Sequence, residues 1–232
     1  APGHWTLNYS GIAYSDNGGQ TWVKDMAATW PGDSNFGQVA VVHHTEGGVP
    51  YLYVYGIPGG RYGSLHLARV PEAQVLNTAA YQYWTGSSWV TGNPQAATSI
   101  VPAPVGELSV QWNSYYQKWL MMYLVDSTGQ VVLRMADAPT GPWGPAQEVV
   151  SGAQYPQLYA PYLTPMWENG PDLWFTMSLY GPYHVVLMHT SLLPAATGAK
   201  PTLAAPATPG ATTPRATYPF AHGRGSRPAR PH

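Results

Sequence analysis

The sequence predicts an all-β fold of the five-bladed β-propeller type, here incomplete, with about three full blades and part of another. Three observations carry that expectation. The chain of 232 residues holds 17 Tyr and 10 Trp beside 25 Gly and 24 Pro, the mixture of strand and turn formers that short strands require. Apolar alternation recurs in short runs separated by Gly, Asn and Asp. The runs group into antiparallel meanders, each about 35 to 50 residues long, and a meander repeated radially is a propeller blade.

The elements follow in chain order. "GIAYSDNGGQTWVKD" reads as two strands around Asn17-Gly18-Gly19. Its centre, "SDNGGQTW", follows the Ser-x-Asp-x-Gly-x-Thr-Trp pattern of the Asp-box turn in sialidase-type propellers, with Asn17 at the aspartate position. That motif is structural, and it is expected to pack its turn and Trp22. "VAVVHHTEGGVPYLYVYGIP" reads as two strands around Glu46-Gly47-Gly48, with "LHLARV" as a third. "PEAQVL" is the one helix expected, with Pro71 at its first position and Glu72 in its first turn. "ELSVQWNSYYQKWLMMYLVDSTGQVVLRMADAP" reads as three strands, turning at Asn113-Ser114 and at Asp126 to Gly129. "ADAPTGPWGPAQ" resembles the outer-strand turn of sugar-cleaving propellers. "YLTPMWENGPDLWFTMSLYGPYHVVLMHTSL" is again three strands, turning at Glu168 to Gly170 and at Gly181-Pro182. Residues 1–193 are the expected propeller domain. Residues 194–232 are rich in Pro, Ala and Thr and carry Arg215, Arg224, Arg227 and Arg230; they are expected to be a disordered tail.

Composition narrows the function. Only 9% of residues are charged, against about 25% in an average soluble domain. The surface must then be polar through hydroxyls and amides, which suits neutral, hydroxyl-rich ligands such as sugars. A net charge of −1 gives no general footprint for nucleic acid. The chain has no cysteine, which excludes disulfides and thiolate metal sites. No apolar run is long enough for a membrane span. There is no signal peptide, and the first residue is Ala1, so a processed or truncated product is expected.

In a propeller the first strand of each meander lines the central cavity. "PVGELSVQWN" places Glu107 on such a strand, among residues that otherwise read as buried. The remaining carboxylates mostly have local explanations. Asp16, Glu46, Asp126, Glu168 and Asp172 flank turns, Glu72 starts the helix, and Asp137 and Glu148 lie toward an outer strand. Asp25 and Asp33 fall in a segment without assignment. Glycosidic cleavage uses two carboxyl groups. Glu107 is the candidate acid, its pKa expected to rise among Val, Leu and Trp; its alternative role is a buried hydrogen-bond acceptor. No convincing second carboxylate appears, and Asp33 is the first suspect. Arg61, after a Gly pair, is a candidate for a ligand hydroxyl or for a pair with Glu107. Tyr159, Tyr162, Tyr180 and Tyr183 are candidates for stacking on sugar rings, or for the core. His43 and His44 point to opposite faces of a strand, so no metal site is expected, and no cofactor.

"YVYGIPGGRYGSLHLARVPEAQVLNTAAYQYWTGSSWV", "VPAPVGELSVQWNSYYQKWLMMYL", "APTGPWGPAQ" and "YAPYLTPMW" with its downstream strands resemble domain-of-unknown-function family 4185. The resemblance runs from about Thr6 to Leu193. Some members of that family are classed as endo-D-arabinanases in glycoside hydrolase family 183. The resemblance implies a five-bladed propeller from a secreted or cell-wall associated actinobacterial protein, acting on the D-arabinan of arabinogalactan and lipoarabinomannan. The family opens with Asp-Leu-Gly and Gly-Asp-Thr stretches that this chain lacks; "PGDSN" lies in a loop. The chain is therefore expected to start inside the family domain, and Glu107, Arg61 and the tyrosines carry over only as cavity residues.

Two functions follow from this reading: a glycoside hydrolase of arabinan, weak or inactive as this chain, or a non-catalytic glycan-binding or structural propeller of the cell wall. The expected partner is a polysaccharide, with self-association through exposed sheet edges of an incomplete ring. Limited proteolysis should trim the residues after about Ala195 and leave a compact core, and unfolding of that core on removal of the tail would refute the domain division.

Overall fold

The computed structural model describes residues 3–167, 170–193 and 202–203. It is all-β, and no α-helix occurs among the described residues. Strands β1 (Tyr9–Tyr14) and β2 (Val23–Pro31) form a hairpin. Strands β3 (Gln38–Glu46), β4 (Val49–Ile57), β5 (Gly63–Pro71), β6 (Gln82–Trp84) and β7 (Trp89–Thr91) pair in sequence order, and β8 (Val101–Val105) adds to β5. Strands β9 (Leu108–Asn113), β10 (Lys118–Val125), β11 (Gln130–Ala136) and β12 (Gln147–Ser151) form a four-stranded meander. Strands β13 (Leu158–Leu163), β14 (Asp172–Leu179), β15 (His184–Leu193) and β16 (Thr202–Leu203) form another. The described sheets thus hold two, six, four and four strands.

Turn chemistry explains the hairpins. Gly47 and Gly48 join β3 to β4 at φ +58° and +79°, the two-residue turn whose twist matches the flanking strands and which only glycine adopts cheaply. The β1–β2 turn is closed by its own side chains. Asn17 Oδ1 accepts from the Ser15 hydroxyl and from Thr21 N, Asn17 Nδ2 donates to Thr21 Oγ1, and Gly19 N donates to Ser15 Oγ. Asn17 therefore fills the place of the expected aspartate. Trp22 departs from expectation: its indole N–H bonds Gly19 O, but the ring is 65% exposed, because the hairpin has no second layer over that face.

Helix content also departs from expectation. "PEAQVL" is a single 3-10 turn at Glu72–Gln74, whose cap residue Pro71 offers no side-chain cap. Similar turns lie at Thr78–Ala80, Pro94–Ala96 and Pro165–Trp167, and strands β6 to β8 occupy a stretch that shows no clear period in sequence. Glu72 pairs with His43 across 2.6 Å, on the exposed side of β3. The expectations for the Glu168 turn and for residues 194–232 lie outside the described residues, apart from Thr202 and Leu203, which pair antiparallel with Leu193 and Leu192.

The sheets pack face to face. On β10 every residue from Trp119 to Leu124 is buried. Trp119, Met121 and Tyr123 join Tyr53, Tyr55, Ile57, Leu65 and Leu67 in one core. Leu120, Met122 and Leu124 join Leu163, Leu173, Phe175 and Met177 in another. A third cluster, around Phe36, Val70, Tyr81 and Tyr83, covers the other face of the six-stranded sheet. This stacking sets β3 against β9 and β9 against β13. The registers Gln38↔Ile57 and Leu158↔Leu179, and the bond from Leu124 N to Glu107 O, then put three hairpin loops at one end. Those loops are residues 58–62, 126–129 and 180–183.

Buried tyrosines, with Tyr53, Tyr55, Tyr81 and Tyr83 all raised, make these cores sensitive to alkali. Burial, then the bond to Glu46, pushes Tyr53 up from 10.0 to about 12. Burial does the same to Tyr81, whose hydroxyl donates to Val75 O. A phenol that ionises later in the fold than in the unfolded chain favours the fold below pH 10 and loses that contribution as pH rises toward 12. Melting temperature should fall steeply across that window, and Tyr81→Phe should flatten part of the fall. A flat profile to pH 12 would refute the assignment.

Candidate functional site

The three loops bring together groups far apart in sequence. Arg61 sits on the β4–β5 loop, after Gly60. At Gly60, φ is +98° and a Cβ would lie 2.7 Å from Gly3 O. The N-terminal segment ahead of β1 crosses here, and Arg61 N donates to Gly3 O at 3.0 Å. Glu107 precedes β9, and its Oε1 accepts from Arg61 Nε at 2.9 Å and Nη2 at 2.6 Å. Asp126 opens the β10–β11 turn. Its Oδ1 accepts from Arg61 Nη1 at 2.9 Å and its Oδ2 from the Tyr62 hydroxyl at 2.6 Å. Three nitrogens of one guanidinium therefore hold two carboxylates. Arg61, Glu107 and Asp126 have side chains 18%, 26% and 21% exposed, so screening by water is partial.

Aromatic rings frame this cluster. Trp5 and Tyr159 present their faces to the guanidinium at 5.8 and 5.7 Å. His4 stacks on Tyr62 at 4.2 Å. A cleft of about 470 Å³, lined by Gly3, His4, Trp5, Thr6, Gly59, Tyr62 and Gly63, opens beside it. Tyr159 owes its place to a bulge: Ala160 and Pro161 stand opposite the single Met177 between the pairs Tyr159↔Ser178 and Tyr162↔Thr176, and Ala160 is left-handed at φ +48°. A bulge re-aims the side chain beside it.

The electrostatics follow from these contacts. Burial works against the Arg61 charge, but its hydrogen bonds to Glu107 and then Asp126 outweigh burial and raise the group above its ordinary value. The hydrogen bond to Asp126 likewise raises the Tyr62 phenol. Glu107 itself faces Arg61, not the apolar slot that its neighbours in sequence suggest, because Leu108, Val110 and Trp112 alternate to the other face of the strand. On its own face follow Ser109, Gln111 and Asn113, all buried. Ser109 Oγ accepts from Leu163 N at 2.9 Å, which ties this polar stripe to β13. The second oxygen of Glu107, Oε2, is buried with no partner among the described residues.

The structure thus brings together Arg61, Glu107 and Tyr159. Tyr180 and Tyr183 lie on the neighbouring β14–β15 loop, and Tyr162 lies past the bulge, 53% exposed. Asp33 is exposed in the turn after β2 and is not one of the groups that meet Arg61. Asp126, Tyr62 and Trp5 escape the sequence reading; the one available signal is that Asp126 and Arg61 occupy equivalent hairpin loops in successive meanders. A second cleft, about 320 Å³, is apolar, walled by residues such as Trp30, Leu52, Val54 and Tyr83. It buries surface but offers no ionisable cluster.

A family model described as a domain of unknown function (DUF4185) matches residues 1–189. The chain belongs to the DUF4185 family. "Notoamide biosynthesis cluster protein J" of Aspergillus sp. (strain MF297-2) is 33% identical over 144 residues, which is 60% of this chain and 38% of that protein. "Notoamide biosynthesis cluster protein J'" of Aspergillus versicolor is 30% identical over 172 residues, 72% of this chain and 46% of that protein. The DUF4185 chain therefore spans less than half the length of either curated relative. A solved protein of Bacteroides ovatus ATCC 8483, described as a "putative hydrolase", aligns over 74% of this chain and 55% of its own, at 13% identity and a TM-score of 0.47.

The Arg61 bridge should be a stability determinant of the DUF4185 chain. Arg61→Ala leaves two like charges facing each other, and denaturant titration should show a loss of about 1–3 kcal/mol. Arg61→Lys keeps the charge but not the fork and should recover only part of it. An Arg61→Ala variant as stable as the parent would refute the bridge.

Proposed function

We propose that this DUF4185 chain forms the sugar-binding mouth of a propeller-type, glycan-active protein, and that the chain by itself binds its glycan without efficient cleavage. The Arg61 cluster carries the reading. Polar groups in fixed positions beneath aromatic faces are what a site for a hydroxyl-bearing ring requires. One guanidinium against two carboxylates leaves the cluster net negative, which favours a neutral glycan over an acidic one. Three first strands side by side, with their loops at one end, support the propeller-type reading over residues 1–193, and Thr202 and Leu203 add an edge pairing to β15 beyond that bound.

Cleavage is another matter. A glycosidase needs one carboxyl group as proton donor and another as base or nucleophile, at a set separation. Here both are engaged by the same guanidinium, and both oxygens of Asp126 are bonded. The unpartnered Oε2 of Glu107 favours a second reading, in which Glu107 serves as the acid once a ligand displaces Arg61. D-arabinan as the glycan rests on the family resemblance. The relatives' printed names speak only of a fungal biosynthesis cluster. A wall glycan implies a secreted or wall-associated protein. The apolar faces at Val39 and Val41 (49% exposed each) and at Val185 (69%) suit self-association.

Calorimetry with soluble D-arabinan fragments, and release of oligosaccharides from arabinogalactan, test the proposal. Saturable binding with release near background is expected. Trp5→Ala should weaken binding about tenfold, the equivalent of one aromatic contact. Failure to bind any neutral glycan would sink the reading. Robust turnover abolished by Glu107→Gln would put the hydrolase reading in its place.

A further inference from the structure

The β14–β15 hairpin closes on Tyr180-Gly181-Pro182-Tyr183. The two tyrosine rings lie 5.6 Å apart at 43° and are 61% and 76% exposed. Tyr183 holds a left-handed φ of +53°, a conformation that costs a bulky residue free energy. Neither ring belongs to one of the buried clusters. Two large aromatic rings held in water at the tip of a turn, one on a strained backbone, are not accounted for by folding.

Their place in the fold is definite. Tyr180 N donates to Gln157 O at 3.0 Å, and a Cβ at Gly181 would lie 2.3 Å from Gln157 Oε1, so the turn is pressed against the start of β13. Tyr159, which meets Arg61, pairs with Ser178, and Ser178 lies two residues, about 7 Å, before Tyr180 along β14. The aromatic pair therefore continues the mouth at a distance that suits the next unit of a chain, not a second face of the same ring.

We propose that Tyr180 and Tyr183 form a second, stacking subsite, so that the ligand is a neutral oligosaccharide that runs from the Arg61 cluster to the β14–β15 tip. The inference rests on the sugar-binding reading and adds to it the length of the ligand. Specificity divides between the two places: Arg61 and its carboxylates fix one unit by polar contacts, and the tyrosines hold the neighbouring unit by its apolar C–H face. The tight turn presents the Tyr183 ring in the open without a ligand, and a preset turn lowers the ordering cost of binding.

The test compares methyl arabinofuranoside, a single unit, with a linear arabinofuranosyl oligosaccharide of six units by calorimetry. The parent chain should bind the six-unit ligand at least tenfold more tightly than the single unit. A Tyr180→Ala, Tyr183→Ala double variant should lose that margin and bind the single unit as the parent does. The Tyr180→Phe, Tyr183→Phe variant, which keeps the rings, should retain the margin, and unchanged binding of the single unit by the alanine variant shows that its loss of margin is not a loss of fold. An unchanged margin in the alanine variant, or equal weakening for both ligands, would overturn the subsite while leaving sugar binding intact. A dimer that the alanine variant loses in light scattering, with glycan affinity unchanged, would assign the pair to a contact between copies and also overturn it. Absence of binding to either ligand by the parent would sink the sugar reading, and this inference with it.

Discussion

Burial of β10 on both faces is the constraint on which the rest depends. A strand with one wet face alternates apolar and polar residues; β10 instead runs Trp119 to Leu124 without an exposed residue and feeds two cores in alternation. It can do so only if a sheet packs on each side. That requirement fixes the order of the stack, sets β3, β9 and β13 beside one another, and brings their loops to one end. The functional geometry is a by-product of hydrophobic packing in the middle of the molecule.

Scarcity of charge shapes the site as much as packing does. With 9% charged residues, ionic groups are scarce, and several of the described ones have dedicated partners. Arg69 is held by Glu46 and Gln82 between the faces of Tyr51 and Trp89, and Lys118 meets Asp137. The Arg61 cluster differs because one cation answers two anions. Lysine, a point charge, would not span both carboxylates as the guanidinium fork does. The excess negative charge is confined to a place where aromatic rings and a cleft meet it.

Much of this was legible in the sequence, and the reasons for the rest are physical. Glu107 stands out because it interrupts an apolar strand; the period of two in Glu107, Ser109, Gln111 and Asn113 carries the signal of its polar face, which the apolar reading of the run passed over. Gly47 and Gly48 announce their turn because only glycine tolerates it. Asp126 was hidden by its second role. Asp-Ser-Thr-Gly is a good turn on local grounds, and nothing local reveals a guanidinium 65 residues away. Trp5 and Tyr62 were hidden among many aromatics whose burial a sequence does not state. Strands β6 to β8 and the 3-10 turns were missed because segments of three to five residues carry too little periodicity to register.

The separations within the Arg61 cluster bear on the order in which the protein acquires its shape. The Asn17 turn closes over four residues and needs no help from distant parts of the chain. Arg61 must find one partner 46 residues away and another 65 residues away, and loop closure on that scale precedes any gain from the contact. The mouth therefore matures late, after the sheets that carry it have docked. A newly made chain would hold its hairpins well before the Arg61 cluster came together, and local opening at the same seam would part the cluster before the cores are lost.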